Sequence, residues 1–203
     1  TKGILDRMHA VDALLNSHPQ WRGRFVLLQI AAPTRSKLSS YSKLHNEAVA
    51  LAEEINGRHG NISYQPVRLI ARHHEPAEVF TLFRAADLCV VSSLHDGMNL
   101  VAKEFVAARD DEQGVLVLSS FTGASREMSE ALIVNPYDPH EMANAFDKAL
   151  RMPAEEQAER MKLMRRQVHD NNVYRWAGRM LVDAARSRQR QRILEIAERA
   201  ERP

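Results

Sequence analysis

Short apolar runs alternate along the chain with segments whose apolar residues recur at helical spacing. Residues 4–17 have the helical spacing, which predicts an amphipathic helix. Residues 24–31, RFVLLQIA, form a nearly continuous apolar run, as a strand buried on both faces does. The chain therefore opens with a helix followed by a buried strand.

The same alternation continues to about residue 150. Four further strands are predicted, over 64–71, 87–93, 114–120 and 132–136. Further helices are predicted over 38–58, 76–86, 98–109, 123–131 and from 138 onwards. Pro76 suits a first helical turn, Asp138 suits an N-cap, and Pro66 places its strand at an edge or entry position. The fold class predicted is α/β, a Rossmann-like doubly wound parallel sheet with helices on both faces and right-handed crossovers.

No strand pattern follows residue 153. Residues 154–170 and 172–199 are charged and have helical character. We therefore expect a Rossmann-like domain over 1–152. We expect C-terminal helices over 153–203 that pack on this domain or on another one.

Composition narrows the class of protein. The 203 residues are 44% hydrophobic and 27% charged with net charge +2, so bulk charge favours neither nucleic acid nor membrane as a partner. Cys89 is the single cysteine, which excludes an intrachain disulfide and favours a reducing compartment. With no secretory leader pattern and no apolar run of about 20 residues, a cytoplasmic protein is expected. The chain opens at Thr1 rather than Met, which suggests that a preceding part is missing.

A loop after the third predicted strand, SSLHDGMNL, interrupts the apolar pattern with an Asp-Gly pair. Ligands of doubly wound sheets bind beyond the carboxyl ends of the strands, where this loop lies. Gly97 permits a tight turn or a positive φ and a close approach to a ligand. A helix that begins near Met98 leaves free N–H groups from Met98 to Val101, which with the helix dipole predict an anion site for a phosphate or pyrophosphate.

Two carboxylates flank this predicted anion site. Asp96 precedes it, and Glu104 lies one helical turn after Leu100. Carboxylates accept hydrogen bonds from sugar hydroxyls, so this layout suits a sugar nucleotide. An alternative of equal weight is that Asp96 caps the helix and Glu104 has no special role.

The segment HDGMNLVAKEFVAARDDEQGVLVLSSFTGASREMSEALIVNPYD closely resembles the donor-binding segment of trehalose-6-phosphate synthases. These are retaining glycosyltransferases of the GT-B fold, which transfer glucose from UDP-glucose to glucose 6-phosphate. The opening TKG resembles the end of the family motif R-x-D-Y-[TS]-K-G, and residues 29–41 resemble its acceptor-side loop. The resemblance covers roughly residues 1–180.

The resemblance implies that the chain is the C-terminal, donor-binding half of such an enzyme. The family's N-terminal Rossmann domain supplies most of the acceptor site, so the chain alone is expected to be inactive. Its expected partners are UDP-glucose, glucose 6-phosphate and that missing domain, and a homo-oligomer is a further option. No cofactor and no metal site are expected, since Lys2 and the helix terminus can replace Mg²⁺ at the diphosphate.

The resemblance also implies roles for single residues. Lys2 matches a lysine on the donor's phosphates, where it stabilises the departing UDP, and Arg35 matches an arginine near the acceptor's phosphate. His74 stands where the family has Phe beside the uracil, so the preference for UDP over ADP or GDP depends on whether the ring makes that contact. Residues matching the surroundings of the transferred glucose are Asp96, Gly97, Met98 and Asn99. Residues matching the segment that holds the diphosphate and ribose are Leu100, Val101, Ala102, Lys103 and Glu104.

Retaining transfer of this kind needs no side chain as general base, since the leaving diphosphate helps to deprotonate the incoming hydroxyl. Asp96 is then a hydroxyl acceptor rather than a covalent nucleophile. Two other functions remain open: a related enzyme such as a glucosylglycerol-phosphate synthase, and a non-catalytic nucleotide-sugar-binding module. Arginines in the tail predict a solvated helix face rather than a nucleic-acid site, and they include Arg186, Arg188, Arg190 and Arg192.

Overall fold

The predicted alternation of helices and strands is confirmed in a computed structural model, which describes residues 2–31 and 39–200. The strands are β1 Leu27–Ile30, β2 Val67–Ile70, β3 Leu88–Val91, β4 Val115–Ser119 and β5 Leu132–Val134. The helices are α1 Ile4–Ser17, α2 Ser39–His59, α3 Pro76–Ala85, α4 Leu100–Ala108, α5 Pro139–Leu150, α6 Ala154–Asp170 and α7 Val173–Ala200. Two 3-10 helices, Pro19–Trp21 and Gly123–Arg126, complete the described elements.

All of these strands pair in parallel, which confirms the predicted fold class. β1 pairs with β2, and β3 and β5 pair with β4 on either side. The described strands thus form two groups of hydrogen-bonded strands, in the order β1-β2 and β3-β4-β5. Ligands of doubly wound sheets bind at the carboxyl ends of the strands where two such groups diverge.

The described strands form two parallel sheets, β1-β2 and β3-β4-β5, rather than the one continuous sheet predicted, and the core lies between strand residues and the helices α1, α2 and α5. β4 is buried at all five positions, as its continuous apolar sequence predicts. α1 and α5 pack against each other, and α3 packs on α4. The rings of Phe25 and Phe146 stack within this core, with centroids 6.4 Å apart.

Turn and cap chemistry explains where several elements begin. Pro76 is the first residue of α3, and β2 begins directly after Pro66, as predicted. Asp138 caps α5 by accepting from the N–H groups of His140 and Glu141. The helix predicted over 123–131 is wrong in extent: only the 3-10 turn Gly123–Arg126 forms, because the next residues turn towards β5.

The chain divides into two compact units, and the division falls within α6, after Arg165. The second unit is helical and consists largely of α7, which carries exposed apolar side chains: Val173, Tyr174, Trp176, Met180, Leu181 and Val182. Within the described ranges, no helix combines the length and the apolar character that crossing a bilayer requires.

Candidate functional site

The segment before α1 lies against the end of β3. Gly3 has φ 62°, and a Cβ at this position would lie 1.9 Å from the carbonyl oxygen of Ser92. The hydroxyl of Ser92 donates to the Gly3 carbonyl at 2.8 Å. Only glycine allows this contact, because it combines a left-handed backbone with the absence of a side chain. The contact brings Lys2 to the carboxyl end of the sheet.

Lys2 there meets Asp96, 94 positions later in the chain. Its Nζ donates to Oδ2 of Asp96 at 2.6 Å, and Nδ2 of Asn99 donates to the same oxygen at 3.1 Å. The Lys2 hydrogen bond holds the pKa of Asp96 below its ordinary value, and the Asn99 side chain and the Met98 amide act in the same direction. Burial of the carboxyl opposes these effects only partly. Asp96 therefore stays ionised as a hydrogen-bond acceptor.

The loop that carries Asp96 is held by main-chain bonds to the loop after β4. The N–H of Asp96 donates to the Phe121 carbonyl at 3.2 Å, and its own carbonyl accepts from Gly123 at 3.0 Å. A Cβ on Gly123 would lie 2.0 Å from the Gly97 carbonyl oxygen, so the two loops touch through their backbones. The position of Asp96 is thus fixed by the end of the buried strand β4.

α4 begins two residues later than predicted. The first helical residue is Leu100, and Asn99 is the N-cap, with φ 65° and a side chain that accepts from Ala102 N–H at 3.0 Å. Asn adopts this left-handed conformation more readily than other side chains and also caps helices well. The alternative that Asp96 caps the helix is therefore wrong. Of the two conformations that Gly97 permits, the positive φ is not adopted, and a Cβ at this position would meet no atom within 4 Å.

The start of α4 keeps unused donors. Within the described part of the chain, the N–H groups of Leu100 and Val101 have no hydrogen-bond partner, and both side chains are exposed. Glu104 is exposed one turn further along. Lys103 instead donates to Glu127 at 2.6 Å, across the gap to the loop after β4. Leu100, Val101 and Glu104 thus lie in the first turns of the helix that follows the Asp96 loop, with exposed side chains, whereas Lys103 is engaged by Glu127.

His74 does not present its ring to a ligand. Its side chain is 2% exposed, and Nδ1 lies 3.0 Å from the Arg72 carbonyl. The Glu78 carboxylate lies 3.7 Å from the other ring nitrogen. Arg35, expected near an acceptor phosphate, lies outside the described residues. Elsewhere in the described ranges, no three His, Cys, Asp or Glu side chains converge in a way that suits a metal ion.

One residue of this region was missed by the sequence reasoning. Arg7, one turn into α1, donates to the side chains of Gln29 and Ser92 and to the Lys2 carbonyl. It shares a helix face with Val11 and Leu14, which are fully buried. A charged residue within that apolar stripe, and a glutamine within the apolar run of β1, were the signals available.

Comparison with known proteins agrees with this geometry. Residues 1–186 match Glycosyltransferase family 20. The trehalose-6-phosphate synthase of Enterobacter sp. (strain 638) is 39% identical over 188 residues, which are 92% of this chain and 40% of the relative. The alpha,alpha-trehalose-phosphate synthase [UDP-forming] A of Dictyostelium discoideum is 35% identical over 175 residues, or 86% of this chain and 24% of the relative.

Solved structures give the same result. A UDP-forming alpha,alpha-trehalose-phosphate synthase from Burkholderia xenovorans, in complex with glucose-6-phosphate, matches with TM-score 0.88 and 40% identity over 90% of this chain and 40% of that one. The E. coli protein solved with UDP-2-fluoro glucose matches with TM-score 0.88 and 38% identity over 90% of this chain and 41% of that one.

The chain spans about two fifths of the length of the bacterial relatives it matches. The match to the family covers the N-terminal segment with Lys2, all five strands and the loop with Asp96. It confirms the predicted resemblance to trehalose-6-phosphate synthases. The chain belongs to glycosyltransferase family 20.

Proposed function

We propose that the chain is the donor-binding part of a trehalose-6-phosphate synthase, which binds UDP-glucose for transfer of glucose to glucose 6-phosphate. The pairing of Lys2 with Asp96 beside the open start of α4 carries this proposal. It places a cation, a carboxylate and two free N–H groups within one short region. A nucleotide sugar presents the complementary groups, namely a diphosphate next to sugar hydroxyls.

Lys2 is available to a ligand although it is paired. Its side chain is 64% exposed, against 16% for Asp96. An exposed ion pair of this kind contributes only about 0–1 kcal/mol, so a diphosphate can draw the ammonium away at little cost. We propose that Lys2 and the N–H groups of Leu100 and Val101 bind the diphosphate and stabilise the charge of the departing UDP.

Asp96, once released by Lys2, accepts from a hydroxyl of the transferred glucose. Without Lys2, the Asn99 side chain and the Met98 amide still lower the pKa of Asp96 and favour its ionised form, and Asn99 continues to orient it. A carboxylate held by two donors is a poor nucleophile, which favours hydroxyl binding over a covalent intermediate. Glu104, exposed on the next turn of α4, is positioned to accept from the ribose hydroxyls.

In the proposed transfer with retention, the bond between C1 of glucose and the diphosphate oxygen breaks. The bond from C1 to the acceptor oxygen forms on the same face. The acceptor proton passes to the leaving diphosphate, so no side chain of this chain acts as general base. Arg35, in the acceptor-side loop, is proposed to bind the phosphate of glucose 6-phosphate.

The buried ring of His74 bears on the choice of base. Because the ring packs inside the protein, a contact with the base at this position would use the backbone. The change from Phe to His therefore leaves the preference for UDP intact. We further propose that the exposed apolar side chains of α7, such as Trp176 and Leu181, pack on the part of the enzyme that this chain does not span.

Calorimetric titration tests the proposal. The chain is titrated with UDP, ADP, GDP and UDP-glucose, and the variant Asp96→Ala is titrated alongside. UDP should bind more tightly than ADP or GDP, and Asp96→Ala should weaken UDP-glucose by roughly tenfold while sparing UDP. A stronger response to ADP would overturn the donor assignment. Loss of UDP and UDP-glucose affinity to the same degree would overturn the role of Asp96.

A further inference from the structure

The guanidinium of Arg7 joins three separate segments at the carboxyl end of the sheet. Nη1 donates to Oε1 of Gln29 in β1 at 2.7 Å, and Nε donates to Oγ of Ser92, just after β3, at 3.1 Å. Nη2 donates to the carbonyl oxygen of Lys2 at 3.2 Å. Arg7 therefore links β1 to the end of β3, and both of these to the segment before α1.

The charge of Arg7 has no carboxylate partner within the described ranges, and all three acceptors are neutral. Burial lowers the pKa of the Arg7 guanidinium, although an arginine remains protonated in proteins. Asp6 favours the charged form of Arg7 but does not outweigh burial, and a partly buried cation that makes no ion pair is unfavourable for the fold. An apolar residue would continue the stripe of Val11 and Leu14 at lower cost. The arginine thus requires an explanation beyond packing.

The bonds of Arg7 converge on the two residues that precede α1. One bond reaches the carbonyl of Lys2 directly, and another reaches Ser92, whose hydroxyl in turn donates to the carbonyl of Gly3. The Lys2 side chain itself is mostly exposed and contacts Asp96. The main chain of Lys2 and Gly3 is therefore held by the contacts of Arg7 and Ser92, while the Lys2 ammonium points to the Asp96 carboxylate.

We infer that Arg7 is a positioning residue, which clamps the main chain of Lys2 so that its ammonium lies on Asp96 and faces an incoming anionic ligand. The identity of that ligand as a nucleoside diphosphate sugar rests on the proposed function. The clamp itself does not, because it is defined by contacts of the chain alone. A fork of N–H groups is required, since a lysine ammonium cannot donate to acceptors spread over three segments.

The test is the substitution Arg7→Lys, which keeps the positive charge and removes the fork. The ¹³C shift of the Asp96 carboxyl, titrated by NMR, reports how well Lys2 is positioned without any ligand present. We expect the pKa of Asp96 in R7K to rise towards its ordinary value of about 3.9, as it also does in K2M. In the double variant K2M/R7K, the second substitution should add nothing, because Arg7 acts through Lys2.

The matched control is Arg22→Lys. Arg22 is an exposed arginine whose Nε donates to the Leu15 carbonyl at 2.9 Å, at the other end of α1. R22K should leave the pKa of Asp96 unchanged, which separates the clamp from a general loosening of the protein. Ser92→Ala, made in parallel, removes one link of the clamp and should raise the same pKa even if R7K fails to fold.

An Asp96 pKa that stays at the wild-type value in R7K, or in S92A if R7K is unfolded, overturns the inference. So does a rise of equal size in R22K. Binding of UDP is measured on the same samples and should fall by roughly tenfold in R7K. Failure of the wild-type chain to bind UDP would count against the proposed function, whereas the Asp96 titration would still decide the role of Arg7.

Discussion

Replacing Gly3 by alanine should destabilise the chain far more than a surface substitution does. The backbone at this position has φ 62°, and the new Cβ would lie 1.9 Å from the Ser92 carbonyl oxygen. Left-handed backbone costs a residue with a side chain about 1–2 kcal/mol, and forcing an atom into a packed contact costs about 1–3 kcal/mol. Part of this is offset by the smaller entropy of the unfolded chain, about 0.4–1 kcal/mol. The net loss expected is about 1–5 kcal/mol.

Urea unfolding followed by circular dichroism measures this loss. With a slope of about 2 kcal/mol/M for a chain of this size, the midpoint should fall by about 0.5–2.5 M. The control is Gly57→Ala inside α2, where a Cβ would meet no atom within 4 Å. That variant should be neutral or more stable by up to about 1 kcal/mol, since alanine favours helix over glycine. A loss below about 1 kcal/mol in Gly3→Ala would refute the proposed packing of the N-terminal segment on β3.

Three further predictions concern single side chains. The pKa of Asp96 is lowered in the folded state, chiefly by Lys2, so the contribution of Asp96 to stability is present above about pH 4 and is lost as pH falls through the folded pKa. The free energy of unfolding of Asp96→Asn should therefore fall less steeply at acid pH, and an unchanged acid dependence would contradict this. Burial raises the pKa of Cys89 to about 12, so a disulfide reagent at pH 8 should modify this thiol far more slowly in the native chain than after denaturation. Equal rates in the two states would contradict the raised pKa. The free energy of unfolding, measured with urea, should fall by about 1 kcal/mol in Asn99→Ala for the missing cap and by more for the left-handed backbone. In Asn99→Gly it should fall by only a few tenths of a kcal/mol for the cap, and equal losses in the two variants would exclude the cap geometry.

Much of the architecture could be predicted because each strand is a short apolar run bounded by turn residues. β4 is the clearest case, since five consecutive apolar or small residues are buried together. Helix starts were predictable where proline or a capping residue marks them, as at Pro76 and Asp138. The role of Asn99 as the N-cap of α4 was missed because Asp96 and Asn99 are both good N-cap residues, and only the backbone conformation decides between them.

The assembly of the site could not be derived from local patterns. Lys2 and Asp96 are 94 positions apart, and their contact depends on a close approach of Gly3 to Ser92. Spacing along one element carries no information about such a contact between distant segments. The family resemblance supplied the pairing of these regions, whereas Arg7 had no place in the quoted motifs and could be found only through its hydrogen bonds.

The main-chain hydrogen bonds that join the Asp96 loop to the loop after β4 form a latch between the two loops. This latch bears on how the site can change during evolution or engineering. Because the latch uses backbone groups of Asp96, Phe121 and Gly123, it requires glycine at position 123 but no particular side chain at Met98 or Leu100. Met98 and Leu100 are 45% and 58% exposed and take no part in it. A library that varies these two positions should therefore sample new ligand preferences at the proposed site without disturbing the latch. The ligand preference of the proposed site can then diverge without a matching loss of folding stability.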